Sequence, residues 1–118
     1  MKVLIVDDNQ DITDLLSRYL NSKGIENEVT NDPLDGLKKI KEESYDTVLL
    51  DISMPEFSGI DIIHTLEREK RLKDQKIVIF SATAFTESEV HHLLKKEGVQ
   101  SCLKKPIKLN KVLTAISS

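Results

Sequence analysis

Five times along this chain a short apolar run gives way to a longer stretch whose apolar residues recur at helical spacing. That alternation constrains the fold more than any other feature. The runs are Lys2 to Val6, Ile25 to Thr30, Tyr45 to Leu50, Lys76 to Phe80 and Gln100 to Leu103. The first, third and fourth are almost wholly apolar, as expected of strands covered on both faces. The second has polar interruptions, as an edge strand would. Strand then helix, with short loops, predicts a parallel sheet with helices on both faces and right-handed crossovers. Five such units predict the doubly wound order 2-1-3-4-5, with the ligand crevice between the first and third strands.

The stretches between the runs carry helix signals. Asn9 or Asp8 can cap the first helix, Ile12, Leu15, Leu16, Tyr19 and Leu20 line one face, and Gly24 ends it. Asp32-Pro33 is a cap followed by a first-turn proline, and Leu34, Leu37 and Ile40 are the predicted buried stripe. Ser58-Gly59 opens the third helix, with Ile60, Ile63 and Leu66 inward. Glu67 to Lys76 reads as a helix end and an exposed, charged loop. Thr86-Glu87-Ser88-Glu89 has the form of a capping box ahead of Val90, Leu93 and Leu94, with Gly98 as the stop. Leu109, Val112, Leu113 and Ile116 give the last helix its face.

Length and charge narrow the class. At 118 residues, 39% of them hydrophobic, the expectation is one domain over residues 1–118 with a core of its own. A net charge of -3 gives no general attraction to nucleic acid or anionic membrane. No apolar run reaches transmembrane length, and Met1 to Val6 is too short for a secretory leader, so a cytoplasmic location is expected. A single cysteine, Cys102, excludes an internal disulfide and a cysteine-cluster metal site.

The strand ends carry the chemistry. The first, third, fourth and fifth strands run into Asp7-Asp8, Asp51, Ser81 and Lys105. In a parallel sheet these ends share one edge, so the side chains converge. Three carboxylates together would repel, raising one or more of their pKa values if nothing intervened. A hard divalent cation such as Mg²⁺ is the natural compensation. With the Lys105 ammonium and the Ser81 hydroxyl added, the edge describes a pocket for a phosphoryl group, and Asp51 is the carboxylate best placed as nucleophile. An aspartate that merely caps a turn would fit Asp51 taken alone.

These residues resemble the receiver domain of two-component response regulators, of the chemotaxis-regulator type with a flavodoxin-like (βα)5 fold. The resemblance rests on Asp7-Asp8, Asp51 with Met54-Pro55, Ser81-Ala82 and Lys105-Pro106, each after the matching strand. It implies Mg²⁺-dependent phosphoryl transfer from a histidine kinase's phosphohistidine to Asp51. It further implies that Asp8 binds the metal directly, Asp7 through water, and the Ser53 backbone carbonyl completes the set. Ser81 and Lys105 would hold phosphoryl oxygens, and a cis bond would precede Pro106. Such a domain is a switch that catalyses its own phosphorylation and dephosphorylation. Its expected partners are a histidine kinase or phosphotransfer protein, with a second receiver or an output partner on the face of the fourth and fifth helices. A receiver segment of a hybrid histidine kinase, relaying phosphate to a phosphotransfer protein, is the alternative arrangement.

The chain departs from the family at Cys102, where receivers carry an aromatic residue; a small buried filler is the expectation there. Lys108 stands in place of an acidic cap on the last helix. Ser53 and Thr83 flank the pocket at variable positions. An aspartyl-phosphate phosphatase would place a second aspartate where Ser53 stands. A flavin site would offer glycine and serine amides where Asp8-Asn9-Gln10-Asp11 stands. His64, His91 and His92 read as surface residues, since adjacent helical histidines cannot clamp one metal from one face.

Overall fold

The central strands are so apolar that neither face of the sheet can meet water, and the chain covers both. The computed structural model describes residues 1–54, 56–81 and 87–118. Its strands are β1 (Lys2–Val6), β2 (Glu26–Thr30), β3 (Thr47–Asp51), β4 (Ile77–Ser81) and β5 (Val99–Lys104). They form one parallel sheet in the order β2-β1-β3-β4-β5, as the alternation predicts. The helices are α1 (Gln10–Ser22), α2 (Pro33–Glu42), α3 (Gly59–Arg68), α4 (Glu87–Leu94) and α5 (Leu109–Ser117).

Strand pleating sorts successive residues into two cores. Leu4, Val6, Val48, Leu50, Ile77 and Ile79 face one way, onto Ile40 of α2, Ile62, Ile63 and Leu66 of α3, and Leu93 of α4. Val3, Ile5, Leu49, Val78 and Phe80 face the other, onto Leu16 and Leu20 of α1 and Val112 and Ile116 of α5.

The predicted caps form. The Asn9 side chain accepts from the Ile12 amide, and that of Asp32 accepts from the Leu34 amide. Ser58 and Asp61 make a reciprocal capping box. The predicted box at Thr86 lies partly outside the described residues, as do Pro55, Ala82 and Thr83.

Three expectations are corrected. Leu34 and Leu15 are 59% and 49% exposed, because each sits at the outer border of its helix's apolar stripe. The charged stretch after α3 is not all exposed: a 3₁₀ turn (Leu72–Asp74) drives Leu72 into the core. Gly98, at φ 102°, lies against the Leu72 carbonyl, where a β-carbon would collide.

One local rule is broken at the base of β3. Thr47 is fully buried, and its hydroxyl has no hydrogen-bond partner among the described residues. A buried hydroxyl left unpaired costs about 1–3 kcal/mol, and valine has nearly the same shape. Thr47→Val is therefore expected to raise the unfolding free energy by about 1 kcal/mol, read from urea titrations as a higher midpoint at unchanged slope.

Candidate functional site

The strand order sets the site. At the carboxyl edge, β1 and β3 are neighbours and β4 lies beyond them, so the predicted residues meet. Asp7 follows β1 and is fully buried; Asp51 closes β3 and is 2% exposed. The Lys105 Nζ lies 3.2 Å from Asp7 Oδ2 and 3.3 Å from Asp51 Oδ2, bridging the two carboxylates. Asp8 is exposed, and ligand oxygens of Asp7, Asp8 and Asp51 all lie within 4.8 Å of one another. Among the described residues this is the one such cluster of possible metal ligands.

Both buried carboxylates are held by backbone and side-chain donors. Asp7 Oδ1 accepts from the Asn9 amide at 2.9 Å. The Asp7 carbonyl accepts from Asn31 Nδ2 at 2.8 Å, and the same nitrogen reaches Thr13 Oγ1 at 3.0 Å. Asp51 Oδ1 accepts from the Ser53 amide at 3.0 Å and from the Ser53 hydroxyl at 2.7 Å. Sequence reasoning missed Asn31 and missed the Ser53 hydroxyl. Both had a signal: Asn31 follows β2 at the same edge, and Asp-x-Ser is a turn pattern in which side chain meets backbone two residues on.

Electrostatics follow from burial. Burial pushes the Asp7 carboxyl up to about 6; the Asn9 amide and Lys105 pull it down, and the Asp51 charge pushes it further up. Burial also works to lower the Lys105 pKa, but Asp51 and Asp7 more than offset that, and the ammonium is held above its usual value. Three carboxylates thus face one ammonium. The donor set is all hard oxygen and under-neutralised, which fits Mg²⁺. Asp7, Asp8 and Asp51 are the side chains that would hold it.

Ser81 closes β4 and is 3% exposed. Its hydroxyl lies 3.4 Å from the Cys102 sulfur, while its carbonyl accepts from the Lys105 amide at 2.9 Å. Cys102 is half-buried and packs on the α2–α3–α4 side, so it is more than a filler: it is the hydrogen-bond partner of Ser81. The Lys105–Pro106 bond is cis, as the resemblance implies. His64, His91 and His92 are exposed and lie apart from this edge.

Gly59 sets the height of the site from below. A β-carbon there would lie 2.9 Å from Ile52 Cα and collide with the Asp51 carbonyl. Glycine lets the start of α3 sit directly under the strand end that carries Asp51.

An open α/β sheet with clustered carboxylates and a lysine at its switch point is a defined class of domain. The family described as "Response regulator receiver domain" matches residues 3–117. The chain belongs to that family, the receiver domains of two-component systems. It is 32% identical over 118 residues to the transcriptional regulatory protein CpxR homolog of Haemophilus influenzae, covering 99% of this chain and 49% of that protein. It is 34% identical over 111 residues to hybrid signal transduction histidine kinase L of Dictyostelium discoideum, covering 91% of this chain and 6% of the kinase. The chain thus spans about half the length of the first relative and a small fraction of the second. Identity to the polar-differentiation response regulator DivK of Brucella ovis is 28% over 116 residues, 98% of this chain and 93% of DivK. Among solved structures, the Francisella response regulator 1452 receiver domain superposes with a TM-score of 0.87 at 25% identity, covering 98% of this chain and 93% of that one. Vibrio cholerae chemotaxis protein CheY4 gives 0.84 at 25% identity, covering 98% and 95%. Among the described residues, no helix is long and apolar enough to cross a membrane.

Proposed function

We propose that residues 1–118 form a single cytoplasmic phosphoacceptor domain that takes a phosphoryl group from a phosphohistidine onto Asp51. The observation that carries this reading is the Lys105 bridge between two buried carboxylates, with Asp8 beside them, at the sheet's carboxyl edge. An Asp51 oxygen attacks phosphorus, the phosphorus–nitrogen bond to the donor imidazole breaks, and that nitrogen takes up a proton. Lys105 holds one phosphoryl oxygen by charge. Ser81 leaves Cys102 and donates its hydroxyl to another. Asp8, Asp7 and the Ser53 backbone carbonyl would hold Mg²⁺ together with Asp51. A bound Mg²⁺ supplies charge neutralisation for the phosphoryl oxygens.

The product is a switched surface rather than a turned-over substrate. Movement of Ser81 and Lys105 alters the ends of β4 and β5 and biases the α4–β5–α5 face between two states. The donor is a histidine kinase or a phosphotransfer protein. The 34% identity to a hybrid kinase favours a second arrangement, in which the domain is a segment of such a kinase and passes its phosphate onward.

A small acyl phosphate with Mg²⁺ tests the reading. Wild type is expected to gain one hydroxylamine-labile phosphoryl group by intact mass, and Asp51→Asn none. Equal uptake by the two proteins would remove Asp51 from the role.

A further inference from the structure

The register of β2 against β1 pairs Thr30 with Val6, which brings Asn31 level with Asp7 at the carboxyl edge. Asn31 is exposed, yet its amide nitrogen makes two bonds across to the β1–α1 connection. One goes to the Asp7 carbonyl at 2.8 Å, the other to Thr13 Oγ1 at 3.0 Å. Chemistry fixes the direction of both. A carbonyl can only accept, so nitrogen rather than oxygen must face Asp7. The Thr13 hydroxyl gives its own proton to the Gln10 carbonyl at 3.0 Å, so it must accept from Asn31. A single side chain thus holds, directly and through Thr13, the two carbonyls on either side of Asp8 and Asn9.

Both ends of this brace are themselves fixed. Thr30 Oγ1 accepts from the Asp32 amide at 3.2 Å, and Asp32 caps α2 through the Leu34 amide at 3.0 Å. Thr13 is buried in α1. The connection they hold is under electrostatic load. Ligand oxygens of Asp7, Asp8 and Asp51 lie within 4.8 Å of one another. Lys105 bridges Asp7 and Asp51, and among the described residues no cation pairs with Asp8. Like charges so close push the connection outward while no cation is bound. An exposed asparagine buries little surface, so its bonds act on where this backbone lies more than on the core.

We propose that Asn31, acting with Thr13, is a positioning residue for the divalent cation: it holds the backbone from Asp7 to Gln10 so that the Asp7 and Asp8 carboxylates are set for Mg²⁺ before the ion arrives. The inference rests on reading this edge as a Mg²⁺ site, and it adds a residue that is not itself a ligand. Ordering the ligands in advance removes that cost from the binding step. Loss of a partner that orients a metal ligand typically weakens the metal by about 10–100-fold.

Isothermal calorimetry with Mg²⁺ alone tests this, with no phosphodonor present. Asn31→Ala is expected to bind Mg²⁺ about tenfold more weakly than wild type. Thr13→Val should lose less, and the double variant should lose less than the product of the single losses, because both changes cut one relay. In acyl phosphate uptake by Asn31→Ala, the half-saturating Mg²⁺ should rise by the same factor, while the rate at saturating Mg²⁺ stays within about twofold. Asn27 supplies the control. It also joins β2 to α1, accepting from the Ser17 hydroxyl at 2.6 Å and donating to Asn21 Oδ1 at 2.8 Å, but it stands level with Val3, away from the edge. Asn27→Ala should lower the urea midpoint and leave Mg²⁺ affinity unchanged. The proposal is overturned if Asn31→Ala binds Mg²⁺ as wild type does, if Asn27→Ala weakens it equally, if the double variant loses the full product, or if wild type binds no Mg²⁺. Wild type that binds Mg²⁺ with this dependence on Asn31, yet takes up no phosphoryl group, would sink the phosphoacceptor reading alone.

Discussion

Asparagine in place of Asp7 is expected to stabilise the metal-free protein above pH 6, by up to about 3 kcal/mol. The carboxyl is fully buried, and burial raises its pKa from 3.8 to about 6. The folded state therefore holds a proton that the unfolded state has already lost between those values. Folding is favoured below about 3.8 and loses that advantage as pH rises through about 6. Asparagine never ionises, so it escapes the loss. Lys105 keeps Asp51 as a partner, and the Asn9 amide keeps an oxygen acceptor. Urea titrations at several pH values check this: the two stability curves should diverge from pH 4 to 6 and run parallel above. Millimolar Mg²⁺ should stabilise wild type and do less for the variant. A variant less stable than wild type at pH 8 without divalent cations would contradict the account.

The second large effect is expected at Gly59. Alanine there puts a β-carbon into the Asp51 carbonyl and 2.9 Å from Ile52 Cα, both backbone groups of a buried strand end. Neither can swing aside as a side-chain tip could. The cost is expected at about 3 kcal/mol, the upper range for overpacking. The site should suffer separately, since a reacting atom displaced by about 1 Å can lose about a hundredfold in rate. Phosphoryl uptake in the folded fraction should fall at least about tenfold. Circular dichroism, to fix the folded fraction, and intact mass, to follow uptake, separate the two effects. Gly36→Ala offers a contrast, because the atoms nearest its β-carbon would be those of the Val6 side chain rather than backbone.

Much of this was legible in the residues. The apolar runs Val48–Leu50 of β3 and Ile77–Phe80 of β4 forced a sheet covered on both faces, and Asp7, Asp51 and Lys105 had to share an edge once the strands ran parallel. The caps at Asn9, Asp32 and Ser58 were readable because each depends on one side chain and a nearby amide. What stayed hidden depends on distance across the fold. Leu15 and Leu34 match their helices' period, yet burial is decided by whether a neighbour covers that edge of the stripe. Leu72 lay in a charged segment, and only its packing in the core and under Gly98 explains its burial. The Ser81–Cys102 contact joins residues on adjacent strands whose register no local pattern gives. Gly59 looked like a helix start; its closeness to Asp51 appears only when α3 is laid beneath the sheet.

The Lys105–Asp7 bond spans 98 positions of sequence. During synthesis the acidic half of the edge leaves the ribosome well before its counter-charge, which follows only after β5. A nascent chain that has laid down β1, β3 and β4 therefore holds the carboxylates without their ammonium, and the edge strand β5 brings the cation and the docking on β4 together. Completion of the fold and competence of the edge thus arrive in the same event. A chain halted short of β5 would lack at once the strand that pairs with β4 and the ammonium that bridges the two buried carboxylates.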